Sequence, residues 1–69
     1  MNQKNNNMLY KSNQELPVDV RTRLSEGYQD LYRAAFNSAV HWYGEIPKAH
    51  KVALSAVKMQ SAMDKTAFV

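Results

Sequence analysis

The chain has 69 residues, a formal net charge of +3 and no cysteine. Its size rules out dinucleotide-binding, kinase and barrel folds, and the missing cysteines rule out disulfide staples, thiolate zinc sites and thiol chemistry. Hydrophobic residues make up 45% of it, including one Trp, four Tyr and two Phe, enough for one small domain held together by packing alone. The longest stretch free of Asp, Glu, Lys and Arg, 34–44, carries Asn37, Ser38 and His41. A bilayer-spanning helix needs about 20 mostly apolar residues, so the chain is expected to act from the aqueous side of any membrane.

Residues 1–7 are Asn-rich and aperiodic, which predicts a disordered tail rather than a secretory signal. Residues 8–69 are then the domain. Met8, Leu9 and Tyr10 are expected to form a strand fragment or an arm on the domain. Ser12-Asn13-Gln14-Glu15 has the spacing of a capping box, in which Ser12 and Glu15 satisfy each other's backbone N–H groups. Pro17 suits the first turn of a helix. Leu16, Val20 and Leu24 then fall on one stripe, and Asp19 precedes Arg23 by four residues. These features predict a short helix over 17–24.

Ser25 is a good N-cap, with Glu26 and Asp30 following near the positive end of the helix dipole. Tyr28, Leu31, Tyr32, Ala35, Phe36, Ala39, Trp42 and Tyr43 recur at three- and four-residue spacing, while Glu26, Asp30, Arg33, Asn37 and His41 lie opposite. Gly44 stands where a C-cap glycine belongs. This predicts a long amphipathic helix over 26–43.

Pro47 reopens a helix, with Glu45 near its start. Ala49, Val52, Ala53, Ala56, Val57, Met59 and Met63 form a wide apolar arc. Lys48, Lys51, Ser55, Lys58 and Lys65 share the opposite one. The helix is expected to end near Met63, with Ala67, Phe68 and Val69 trailing off it. The fold class is therefore all-α: one small domain, a compact array of one short and two long helices, with Tyr10 and Phe68 packed on it.

Several blocks resemble a known family. Leu16-Pro17, Val20-Arg21, Leu24, Gln29, Leu31-Tyr32, Ala35-Phe36-Asn37, Ala39, Tyr43, Ala49-His50-Lys51-Val52-Ala53 and Ala56-Val57-Lys58 resemble the ChaB pattern in order and spacing, over 16–58. Three positions depart from that pattern: Ser25 replaces a proline, Tyr28 an alanine and Leu54 a tryptophan. The first exchange swaps one helix-start residue for another. The other two, one adding ring volume and one removing it, are expected to repack a single spot between the long helices. The resemblance implies a small helical protein that regulates cation transport, with a sodium/calcium–proton antiporter as its partner. Relatives in phages and in large DNA viruses of insects imply a second role, on DNA. The resemblance carries over no catalytic residue. Leu16, Pro17, Tyr32, Phe36, Asn37, Tyr43, His50 and Val57 enter from it as structural motif positions.

The residues themselves support few chemistries. His41 and His50 are nine apart and have no cysteine to help them, and the six acids form no D-x-D cluster. Neither a zinc nor a calcium site is expected, so no metal and no cofactor. Two glycines make no phosphate-cradling loop, and no serine has a base–acid chain; an enzyme is not expected. Asn37 is expected to bond the segment leading into Pro17 through its amide. The aromatic stripe of Tyr28, Tyr32, Phe36, Trp42 and Tyr43 is expected to be core, not a stacking platform for bases.

The lysines are the best functional lead. Residues 1–15 carry +1, residues 16–44 carry zero and residues 45–69 carry +2. Lys48, Lys51, Lys58 and Lys65 can meet phosphates or a protein partner from one face; the alternative is an ordinary solvated surface. Two function classes stay open beside the regulator: a nucleic-acid accessory protein using the last helix, and a small viral structural subunit. A cytoplasmic, soluble protein is expected, in a host nucleus or virion if viral.

Overall fold

The computed structural model describes residues 9–67, with side chains through Asp64. The Asn-rich tail expected over 1–7, Met8, Phe68 and the Lys65 side chain lie outside that range. A 3-10 turn over Asn13–Glu15 precedes three helices: α1 (Val18–Arg23), α2 (Glu26–Tyr43) and α3 (Ile46–Ala67).

The helix ends follow local chemistry. Ser25 takes the N-cap of α2, its hydroxyl accepting from the Tyr28 N–H at 3.5 Å. Gly44 ends α2 in the left-handed region, at φ 72°, and its N–H donates to the Val40 carbonyl at 2.8 Å. A Cβ at that φ is strained, so glycine is the residue that lets the chain reverse here. Pro17 sits at the N-cap position of α1 and Leu24 at its C-cap, one residue outside the helix at each end. The capping box does not form. Ser12 makes no side-chain cap bond, and Glu15 Oε1 instead accepts from the Lys11 N–H at 2.8 Å. The segment is a 3-10 turn, one residue too tight for the reciprocal pairing. Nor do Asp19 and Arg23 pair: among the described residues the ion pair within 4 Å is Asp30–Arg33, at 3.6 Å.

The core is a seam between α2 and α3, capped by Leu16 and Val20. Tyr32, Phe36, Ala39 and Val40 enter from α2, and Ala49, Ala53 and Val57 from α3. Large side chains thus face alanines buried to 0% exposure, an arrangement that lets the helix axes approach closely. Val40 was not on the expected apolar face, yet it is among the most buried side chains. The helix α3 also runs four residues past Met63. Near its end the Tyr28 hydroxyl donates to Asp64 Oδ2 at 2.5 Å, tying it to α2.

The expected exchange of volume between Tyr28 and Leu54 does not occur. Tyr28 reaches Asp64, whereas Leu54 lies ten positions earlier, in a cleft with α1. Ten helical residues span about 15 Å, so the two cannot fill one spot.

The N-terminal arm explains the polar side of α2. The Asn37 amide grips the Tyr10 backbone at both ends: Oδ1 accepts from the Tyr10 N–H at 3.0 Å, and Nδ2 donates to the Tyr10 carbonyl at 2.9 Å. The Tyr10 ring packs on Phe36 with centroids 4.9 Å apart. Arg33 donates to Asn13 Oδ1 at 2.8 Å, and Asn13 Nδ2 donates to Asp30 at 2.7 Å. The face that reads as solvated is therefore the track on which residues 10–13 lie.

Candidate functional site

The structure sorts the family-motif residues into those that build the scaffold and those left at its surface. Leu16, Tyr32, Phe36 and Val57 are buried. Asn37 holds the arm. The Tyr32 hydroxyl meets His50 Nδ1 at 2.5 Å, joining α2 to α3. Burial, and secondarily the nearby Tyr10, push the Tyr32 phenol up to about 12, so it stays protonated in any physiological setting. Tyr43 is half exposed, with the Lys48 ammonium 4.3 Å from its ring centroid, a cation–π contact.

Two motif positions have a role that periodicity hides. Gln29 is buried, and its Nε2 donates to the Leu24 carbonyl at 2.9 Å and the Arg21 carbonyl at 3.3 Å. Arg21 Nε in turn donates to the Leu16 carbonyl at 3.1 Å. These bonds satisfy free carbonyls around α1, which a six-residue helix cannot satisfy internally. A glutamine on an apolar flank is the one signal that could have revealed this.

Lys48, Lys51 and Lys58 are exposed on α3. Along the axis Lys51 lies about 4.5 Å from Lys48 and about 10.5 Å from Lys58, by helical rise. Lys48 and Lys51 border a shallow groove of 470 Å³ whose other lining residues are Val52, Ser55, Ala56 and Met59. A second hollow, of 350 Å³, joins the same two lysines to Glu45 and Pro47. On the opposite flank of α3 a cleft of 170 Å³ lies between Asp19, Val20, Arg23 and Leu24 of the α1 region and His50 and Leu54.

The aromatic and methionine positions need correction. Trp42 is 77% exposed, Met59 65%, Met63 61% and Tyr43 52%; none belongs to the core. The reason is geometric. A single neighbouring helix covers a narrow strip of α3, here Ala49, Ala53 and Val57, and the α1 region lies on the other flank, beside His50 and Leu54. Trp42 edges onto His41, with ring centroids 5.5 Å apart. The described residues hold no group of three or more His, Cys, Asp or Glu side chains arranged for a metal ion. None of the described helices is long and apolar enough to cross a membrane. The arrangement offers binding surfaces: a lysine edge, an apolar groove beside it and a small cleft of mixed apolar and charged side chains.

Comparison with known proteins gives a consistent relationship. The ChaB family model matches residues 16–66. A curated Escherichia coli K12 protein named "Putative cation transport regulator ChaB" is 38% identical over 65 residues, covering 80% of this chain and 86% of its own length. A Shigella flexneri protein of the same name matches to the same extent. No solved structure gives a significant match.

Proposed function

The chain belongs to the ChaB family, and from that premise we infer that it is a non-enzymatic regulator of cation/proton antiport that works by contacting a transporter from the aqueous side. The observation that carries this reading is the relatives' name, cation transport regulator, over most of both chains. The described surface agrees with it. It offers docking faces: the lysine edge and the apolar groove beside it. The test is direct association: a detergent-solubilised sodium/calcium–proton antiporter is immobilised and titrated with the full chain. Saturable binding that heat denaturation abolishes is the expected result. Absence of binding at all concentrations contradicts it.

A second reading rests on the lysine edge, where Lys48, Lys51 and Lys58 stand exposed along one helix, with Lys65 continuing the sequence pattern. As a nucleic-acid accessory protein the chain would track phosphates without reading bases. Its affinity for random-sequence duplex DNA would then fall with salt at a log–log slope of about −0.9 per phosphate contacted. Replacing Lys51 and Lys58 by glutamine would flatten that slope by about two units. No retention on DNA at low salt removes this reading.

A further inference from the structure

Among the described residues, the two long helices form a layer that is covered on one side only. On α2 the arm occupies the flank of Asp30, Arg33 and Asn37; on α3 the α1 cleft occupies the flank of His50 and Leu54. At about 100° per residue, the other flanks, Leu31, Ala35 and Trp42 on α2 and Val52, Ala56, Met59 and Met63 on α3, turn to one common side. Leu31, Ala35 and Val52 are half-buried against the core, and Ala56 is half-buried in the groove. Trp42, Met59 and Met63 stand out around them. The result is a shallow trough floored by Leu31, Ala35, Val52 and Ala56, with larger side chains around it, and its α3 part is the groove that Lys48 and Lys51 border.

We propose that this open side docks an acidic amphipathic helix of a partner protein, laid along the trough with its apolar stripe on Val52, Ala56 and Met59 and its acids on Lys48 and Lys51. This rests on reading the chain as a regulator that works by protein contact. Two features of this side, and its charge, select that occupant. Ala35 and Ala56 on the trough floor let a third helix approach closely, as ridges enter grooves, and methionines at its margin adapt to an incoming apolar face.

Charge excludes a second copy of this chain. Of its six acids, Glu15, Glu26, Asp30 and Asp64 are held in internal hydrogen bonds, Asp19 faces the α1 cleft, and only Glu45 lies beside the lysine edge. In a copy the exposed Glu15, Glu26 and Asp30 gather around the arm, on the side of α2 away from its own apolar flank, so a copy offers no apolar stripe flanked by acids to Lys48 and Lys51. Duplex DNA would neutralise the lysines but leave Trp42, Met59 and Met63 uncovered. A lipid surface would meet the same exposed apolar side chains, and vesicles are therefore titrated beside the peptide.

Trp42 is the only tryptophan, so it reports on the trough without a label. The full chain is titrated with a synthetic peptide of about 18 residues, five helical turns, built of Leu, Ala and Glu. Leu takes i, i+3, i+4 and i+7 positions and Glu lies along the flanks. The same peptide with Lys for every Glu, phosphatidylglycerol vesicles and random-sequence duplex DNA are titrated in parallel.

The Glu peptide should shift Trp42 emission to the blue saturably, and at least tenfold more tightly than the Lys peptide. Met59→Glu should weaken it more than tenfold without moving the melting temperature, since that side chain is exposed. Lys48→Gln with Lys51→Gln should weaken it about tenfold, the scale of two exposed ion pairs. Equal binding of both peptides, indifference to Met59→Glu, or a blue shift produced only by vesicles or only by DNA overturns the proposal. No transporter enters this assay, so its failure and the failure of the antiport reading are separately visible.

Discussion

Replacing Asn37 with alanine removes both hydrogen bonds that hold Tyr10, whose N–H and carbonyl are gripped by one amide across 27 residues of sequence. Each such bond contributes about 0.5–1.5 kcal/mol net, so the pair is worth about 2 kcal/mol. A chain of this length has a total stability of about 3–10 kcal/mol, at 0.05–0.15 per residue. The loss is therefore a large fraction of what holds the fold. With about 4–8 °C of melting temperature per kcal/mol for so small a domain, Asn37→Ala should melt about 8–16 °C lower by circular dichroism.

The global number alone would not locate the effect, so hydrogen exchange supplies the second readout. Protection of the Tyr10 amide should collapse, while amides in the middle of α2 and α3 should change only by the loss in global stability. Asn37→Asp is the informative companion. It keeps the acceptor for the Tyr10 N–H but sets a carboxylate against the Tyr10 carbonyl, and should be no more stable than the alanine variant. An Asn37→Ala protein that melts with the parent and keeps its Tyr10 protection would refute the reasoning. The arm would then be held by the Tyr10–Phe36 ring contact and the bonds of Asn13 to Asp30 and Arg33.

Phe36→Ala should cost about 3–5 kcal/mol, because its ring is 2% exposed and shared between Tyr10 and Tyr32; a melting curve like the parent's contradicts that core. Toward base, Tyr32 is raised by burial and Tyr28 by its bond to Asp64. Unfolded tyrosines ionise near pH 10, so stability should hold up to that pH and fall progressively from there toward 12, seen in urea midpoints across the range. Toward acid, the Tyr28 and Gln60 bonds lower the Asp64 carboxyl. The stability they add is present above the ordinary carboxylate value and is lost as pH falls through the depressed one; Tyr28→Phe should diminish that acid-side loss. Calcium, zinc and sodium at modest concentrations should leave the melting temperature unchanged, since a folded-state ligand at a hundredfold excess over its Kd adds about 2.7 kcal/mol; a saturable rise would show direct cation binding.

What could be read from the residues was what is decided within a turn or two of helix. Ser25 and Gly44 bracket α2 because a cap hydroxyl and a left-handed glycine act on backbone groups three or four residues away. The Asn37 bond to the segment before Pro17 was legible because a mid-helix amide competes for backbone, though its partner at Tyr10 was not.

Periodicity failed where the answer depends on how many neighbours exist. It identifies Trp42, Met59 and Met63 as apolar and cannot tell that nothing in the described chain covers them. It failed in the opposite sense at Glu26, Asp30 and Arg33, which read as solvated and instead hold the arm, and it gave no role to Gln29, which holds α1. The lysine edge was visible as a stripe, but the apolar groove beside Lys48 and Lys51 required the helices to be in place.

The central claim, that this chain regulates antiport by contact, is tested most directly by proton flux. Everted membrane vesicles containing a sodium/calcium–proton antiporter are loaded with a pH-sensitive dye, and cation-driven proton movement is followed as the purified chain is added. The expected result is a saturable change in exchange rate, lost with heat-denatured protein and diminished by Met59→Glu. Identical flux at every concentration of the folded chain would contradict it.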